Sequence, residues 1–169
     1  MRIAVGLAPV LRLAAVLSVM SYGAANAEVS EASNAGARIV EPLMVMAWEE
    51  LDFGIIAPGT TLPGTVTVTA NQTRSCGPEV DCIGNEFAAA RFMVTGESGH
   101  VYDISVPTGL TIENSTGDQM IIDNLYSDIS QGLLVDGVDE FWVGGDLHIA
   151  ANQAPGAYTG AYIVSVQYQ

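Results

Sequence analysis

The sequence contains no lysine, and its basic residues are five arginines against 19 aspartates and glutamates. Arg2 and Arg12 precede residue 27, whereas every acidic residue follows it. From residue 28 onward, three arginines therefore face 19 acids, which is a formal charge of −16. Such a surface has too few cations to neutralise phosphates, so we expect no binding to nucleic acid. The acids are scattered along the chain, which is typical of a solvated surface outside the cell.

Catalytic side chains are also scarce. His100 and His148 are the only histidines, and no His-x-x-x-His or Cys-x-x-Cys pair supplies the three or four converging ligands of a zinc site. No Gly-x-Ser-x-Gly motif offers a nucleophile beside a base. We therefore expect a protein that is not an enzyme and that has no cofactor, no metal and no small-molecule substrate. A hydrolase with paired carboxylates stays open as an alternative, because many acids are available.

Two acidic runs are the best candidates for calcium, which takes several oxygen ligands from acidic loops. The runs are Glu49, Glu50 and Asp52, and further along Asp136, Asp139 and Glu140. Neither run has the alternating Asp-x-Asp-x-Asp-Gly order of a hand-like calcium loop. Solvated acidic turns are the favoured interpretation, and a calcium-binding module is the alternative.

Long hydrophobic runs are absent after residue 27, and the one before it, 13–20, is shorter than the roughly 20 residues that span a bilayer. This run follows Arg2 and Arg12, and small residues lead from it to Ala25-Asn26-Ala27. That order is typical of a signal peptide with its cleavage site. We expect export to the periplasm, cell surface or medium. Residues 1–27 would be removed, 28–36 would form a flexible lead-in, and 37–169 would form a single domain.

The only cysteines are Cys76 and Cys82. An exported protein meets an oxidising compartment, where a disulfide bond is the default. The spacing differs from the Cys-x-x-Cys of redox-active pairs. We therefore predict a structural bridge that staples a turn-rich loop.

The rest of the chain alternates between apolar and polar residues with a period of two, which is typical of β-strands with one face in the core. Glycine and proline interrupt it at short intervals and leave no room for a long helix. We expect strands near residues 37–48, 64–70, 87–95, 101–106, 110–113, 119–126, 140–150 and 157–168. The pattern predicts an all-β, immunoglobulin-like antiparallel β-sandwich of about seven to nine strands, with a closed barrel as the alternative. Gly144-Gly145 inside one strand predicts a kink or bulge.

Three stretches form a recognisable set: LDFG at 51–54 followed by Pro58-Gly59, FMVTG at 92–96 with YDISVP at 102–107, and FWVGGDLHIAANQAPGAYTGAYIVSVQY at 141–168. The set resembles the bacterial domain of unknown function 4402 family. The positions that carry the resemblance are Leu51, Phe53, Gly54, Gly144, Gly145, Gly156, Tyr158, Gly160 and Tyr168. A more distant similarity to secreted pilus subunits, such as spore coat U-like proteins and common-pilus fimbrillins, implies an immunoglobulin-like fold and a fimbrial role. The resemblance supplies no catalytic residues.

These observations lead us to expect an exported structural or adhesive surface protein, such as a pilin-like subunit. Its partners would be copies of itself or other surface subunits, joined by strand addition at an open sheet edge. The segment 37–46, ARIVEPLMVM, is either an internal first strand or a donor to a neighbour, and Pro42 favours the internal strand. A monomeric periplasmic or secreted binding module is the alternative.

Overall fold

The computed structural model describes residues 30–169, which form twelve β-strands and no α-helix. The strands are β1 (Met44–Glu49), β2 (Ile55–Pro58), β3 (Gly64–Val68), β4 (Arg74–Cys76), β5 (Val80–Ile83), β6 (Ala90–Thr95), β7 (Val101–Ser105), β8 (Gly109–Glu113), β9 (Gln119–Ser127), β10 (Gln131–Leu133), β11 (Val138–Ile149) and β12 (Ser165–Tyr168). Within residues 30–169 no helix is long and apolar enough to cross a membrane.

The central strand of the main, seven-stranded sheet is β11, and all of its pairings are antiparallel. Val143 pairs with Ala90 of β6 and with Ser127 of β9, so β6 and β9 lie along opposite edges of β11. Leu147 pairs with Val66 of β3 and Ile122 of β9, so β3 continues the edge that β6 begins. β1 pairs with β6, β4 with β3 and β8 with β9, all antiparallel.

Two smaller antiparallel sheets supply the second layer of strands, one with the order β10-β7-β12 and the other formed by β2 and β5. The core contains fully buried side chains from both layers, such as Phe141 and Val66 of the main sheet and Tyr102 of β7. The ring of Phe141 stacks on that of Phe92, with 5.2 Å between their centroids. The predicted all-β antiparallel sandwich is therefore confirmed, although it contains twelve strands instead of seven to nine.

The predicted strands agree with the structure except near the two ends of the domain. The first strand begins at Met44 instead of residue 37, because Pro42 has no N–H to donate to a ladder. The last strand begins at Ser165 instead of residue 157, since its partner β7 ends at Ser105, shortly before Pro107; before it, only Thr159 is paired, in an isolated bridge with Glu113. The region of the predicted bridge, expected to be a turn-rich loop, contains the short strands β4 and β5.

Candidate functional site

A groove of about 980 Å³ lies over the inner face of the main sheet. Apolar side chains of β8, β9 and β11 line it, namely Leu110, Ile112, Met120, Ile122, Leu147 and Ile149. Several of these side chains belong to the buried core, so the groove reaches down to the hydrophobic interior of the sandwich. An apolar cavity that opens at a protein surface is the usual form of a binding site.

Two segments, 49–58 and 153–162, border this groove. Just outside the two segments, the backbone N–H of Asn152 donates to the carbonyl of Gly59, at 2.8 Å. β2 pairs with β5 along one edge, and no described strand pairs with its other edge. Residues 160–164 likewise pair with no described strand. The groove is therefore a gap in the second layer, and part of the backbone that borders it has no strand partner among the described residues, although Asp52 and Thr159 form isolated bridges with Ala88 and Glu113.

The first border is fixed by the sequence Leu51-Asp52-Phe53-Gly54. The ring of Phe53 is buried in the core, and Gly54 then adopts a φ of +79°, which favours glycine. The N–H of Gly54 donates to Asp52 Oδ1 at 2.8 Å. Arg74 of β4 donates to the carbonyl of Phe53 at 3.1 Å, and a Cβ at position 54 would collide with this guanidinium. The motif is thus a buried aromatic residue followed by a turn against Arg74.

The second border is held by Tyr158. Its hydroxyl donates to the carbonyl of Ala154 at 2.7 Å and accepts a hydrogen bond from Gln153 Nε2 at 2.9 Å. Gly160 runs so close to β8 that a Cβ there would lie 2.8 Å from the carbonyl oxygen of Thr111. Gly156 packs against the side chain of Asn114. These residues hold 153–160 beside β8, where Thr159 and Glu113 form an isolated antiparallel bridge with two backbone hydrogen bonds of 3.0 Å.

Acidic and aromatic groups line part of the groove. Glu49, Glu50 and Asp52 lie on the first border, and Tyr162 lies on the second. Tyr162 packs edge-on against Phe92, with ring centroids 6.3 Å apart. Burial, together with the negative charge of Glu50, raises the pKa of Tyr162 to about 12. The groove therefore combines an apolar floor with a negatively charged rim.

Tyr168, the terminal tyrosine of the motif, fastens the chain that leads into β1. Its hydroxyl donates to the carbonyl of Glu41 at 2.9 Å and accepts the N–H of Glu97 at 2.7 Å. Glu97 also forms an ion pair with Arg38 and accepts the N–H of Glu41 at 3.2 Å. The hydrogen bond from the Glu41 backbone and the charge of Arg38 lower the pKa of Glu97. The lead chain is thus held by surface hydrogen bonds close to the start of β1.

Gly144 and Gly145 occupy the point at which the partner of β11 changes from β6 to β3. The register with β9 shifts between Gly144 and Asp146, which confirms the predicted bulge. A Cβ at Gly144 would lie 2.4 Å from the carbonyl oxygen of Val68. The glycines therefore allow the end of β3 to approach the central strand closely.

Two acids of the second run, Asp139 and Glu140, and the histidine His148 have structural partners. Asp139 accepts a hydrogen bond from Tyr102 and Glu140 accepts two from Arg91, so the second acidic run is divided between different partners. His148 lies on the outer face, with Nε2 at 2.8 Å from Asp123 Oδ1. No group of three metal-ligating side chains converges anywhere in residues 30–169.

The predicted bridge between Cys76 and Cys82 is confirmed, and their Cα atoms are 6.1 Å apart. Because Cys76 ends β4 and Cys82 lies in β5, the bond joins the main sheet to the β2–β5 pair. The disulfide thereby fixes β5, on which β2 and the first border of the groove depend.

The fold and the groove together define an all-β sandwich protein with an incomplete second layer. Residues 43–168 match the family model described as Domain of unknown function (DUF4402), and the chain belongs to this family. The match covers all twelve strands from the residue before β1 onward. No curated protein and no solved structure matches the sequence.

The groove itself was not anticipated from the sequence. The apolar floor of the groove was anticipated, because the alternating residues of β8, β9 and β11 predicted strands with one face in the core. The sequence did not indicate where pairing stops. Residues 157–164 alternate as a strand does, and yet over most of their length no strand pairs with them. Prolines and glycines in both bordering segments, such as Pro58 and Pro155, are the only local indication that pairing stops there.

Proposed function

We propose that this protein is an exported, non-catalytic structural or adhesive subunit of the bacterial surface that associates by strand addition. The observation that carries the proposal is the groove: its floor is apolar, and it is bordered by β2, which has a strand partner along one edge only, and by residues 160–162, which pair with no described strand. An extended chain that enters such a gap gains main-chain hydrogen bonds from the borders and burial of alternate side chains on the floor.

The chemistry of the groove supports a binding role over a catalytic one. Its floor consists of aliphatic side chains, and the acid Asp52 on its border is engaged by the N–H of Gly54. On the second border, Gln153 and Tyr158 hydrogen-bond to each other. The signal-peptide pattern and the disulfide between Cys76 and Cys82 support an oxidising compartment outside the cytoplasm.

Assembly can be tested with the processed chain, 28–169, and a truncated chain, 41–169, which keeps β1 intact. Sedimentation velocity and electron microscopy should detect polymers of the longer chain if the subunits associate by strand addition. Antibodies against the protein should label filaments or the outer surface of intact cells. A longer chain that stays monomeric at high concentration, together with unlabelled cells, would overturn the proposal in favour of a free binding module.

A further inference from the structure

We propose that the groove is occupied by residues 35–40 of a second copy of this chain. This donor segment, Ala-Gly-Ala-Arg-Ile-Val, precedes β1 and has no regular secondary structure. The inference rests on the proposed strand addition and names both its acceptor site and its donor.

The first argument is the exposure and the pattern of the donor segment. Ile39 is 95 % exposed, so it has almost no contact within its own chain. In an extended strand, Ala35, Ala37 and Ile39 lie on one face, because alternate residues point the same way. Two small side chains let the donor backbone approach the floor of the groove, while Ile39 supplies the apolar area that becomes buried.

The second argument is charge. After residue 27 the chain contains only three basic side chains, those of Arg38, Arg74 and Arg91. Arg74 donates to three backbone carbonyls beside the groove, and Arg91 is bonded to Glu140. Arg38, with 71 % of its side chain exposed, is the cation that remains accessible to a partner. The acidic rim of the groove attracts a cation, so it favours the donor segment over the acidic remainder of the surface.

The third argument is that release of the donor segment disturbs little of the folded chain. Its side chains are exposed except for the half-buried Val40, and its ion pair between Arg38 and Glu97 is a surface pair of the kind that contributes little to stability. The hydrogen bond from Tyr168 holds Glu41, which lies after the segment, so β1 stays in place. The donor segment can therefore leave its own chain without unpairing any strand.

The geometry of this contact predicts a filament instead of a closed dimer. The donor segment and the groove are different surfaces of the same chain, so the contact is heterologous and can propagate from one copy to the next. Because Tyr168 holds Glu41 in place, the donor segment starts directly beside its own fold and has no free linker before β1. Successive copies must consequently lie close together, with the donor segment of one copy beside the groove of the next.

Cysteine cross-linking tests the contact directly. Ile39→Cys is mixed with Ala157→Cys, which places a thiol on the second border of the groove, and the mixture is oxidised mildly. We expect an intermolecular cross-link in this pair at least tenfold above that of Ile39→Cys mixed with Ile121→Cys. Ile121 is the matched control, because it is exposed on β9 next to the groove residue Ile122 but faces away from the core. Equal cross-linking to both positions would overturn the inference.

Two pairs of variants test the donor chemistry in the polymerisation assay. Ile39→Asp should reduce polymer formation at least tenfold while Ile39→Val preserves it, and an exposed position leaves the fold of each monomer intact. Arg38→Glu should weaken assembly and Arg38→Lys should retain it. If polymers form but neither variant nor cross-link has the expected effect, another segment is the donor and strand addition itself survives. If the processed chain forms no polymers at all, the proposed function fails instead.

Discussion

The hydroxyl of Tyr102 donates a hydrogen bond to Asp139 Oδ2 at 3.0 Å and thereby joins β7 of the second layer to β11 of the main sheet. The ring of Tyr102 is fully buried, and Gly132 of β10 lies so close to it that a Cβ there would overlap the ring. Burial of the phenol, with the hydrogen bond to Asp139 as the next cause, raises the pKa of Tyr102 far above 10.

This bond predicts a specific loss of stability in alkali. The unfolded chain releases the phenol proton near pH 10, whereas the folded chain retains it. The contribution of Tyr102 is therefore complete below pH 10 and declines as the pH rises above that value. Tyr162, with its pKa raised to about 12, adds a decline between pH 10 and about 12.

Tyr102→Phe separates the two tyrosines in urea unfolding measured between pH 7 and pH 11.5. At pH 7 the variant should lose about 1.5–3 kcal/mol, because the hydrogen bond to a carboxylate is removed. Above pH 10 the gap to the wild type should narrow, because the variant has one fewer phenol to ionise. Tyr162→Phe is the control, because it retains the hydrogen bond of Tyr102. Its free energy of unfolding at pH 7 should therefore differ little from that of the wild type. A gap that stays constant across the whole range would contradict this account.

The disulfide between Cys76 and Cys82 should stabilise the fold modestly. It closes a short loop, and the loop-entropy relation gives a contribution of about 2 kcal/mol. Thiol titration of the denatured, unreduced protein should find no free thiol. The double variant Cys76→Ala/Cys82→Ala should unfold at a lower urea concentration than the wild type. Reductant should lower the urea midpoint of the wild type and leave that of the variant unchanged. Two free thiols in native protein would refute the bridge.

Gly144→Ala should destabilise the protein by about 1–3 kcal/mol, as expected for overpacking. The added methyl group would meet the backbone of Val68, Thr69 and Ala70 at 2.4–2.7 Å, and backbone cannot rotate away as a side chain can. Gly36→Ala is the matched control, since a Cβ there meets no atom within 4 Å. Thermal unfolding of the two variants should differ clearly, and equal melting temperatures would show that β3 can shift at low cost.

Export should remove residues 1–27, a region outside the described residues. Mass spectrometry of protein from the native compartment should find an amino terminus at Glu28, directly after the Ala25-Asn26-Ala27 site. Replacing Ala27 with a bulky residue such as Phe should block processing, with Ala27→Ser as the tolerated control. Native protein that still contains the apolar segment 13–20 would contradict this prediction.

The sequence by itself determined the fold class and the disulfide. Alternation with a period of two identifies which residues face a core, as it does for Phe141, Val143 and Leu147, and this periodicity is local. The bridge between Cys76 and Cys82 was predictable because the signal-peptide pattern and the spacing of the cysteines can both be read from the sequence. The same local logic placed a bulge at Gly144-Gly145, and the structure contains it.

Only the tertiary structure decided which extended segments found a partner. Residues 158–164 alternate as regularly as 165–168, yet only the latter pair with β7. Whether backbone forms a ladder depends on what lies beside it, and here β7 ends before Pro107 while Gly160 is pressed against β8. The groove arises because β7 is too short to pair with residues 158–164, which lie far from it in the sequence. No local pattern specifies it, because an unpaired edge is a property of the neighbours and not of the strand.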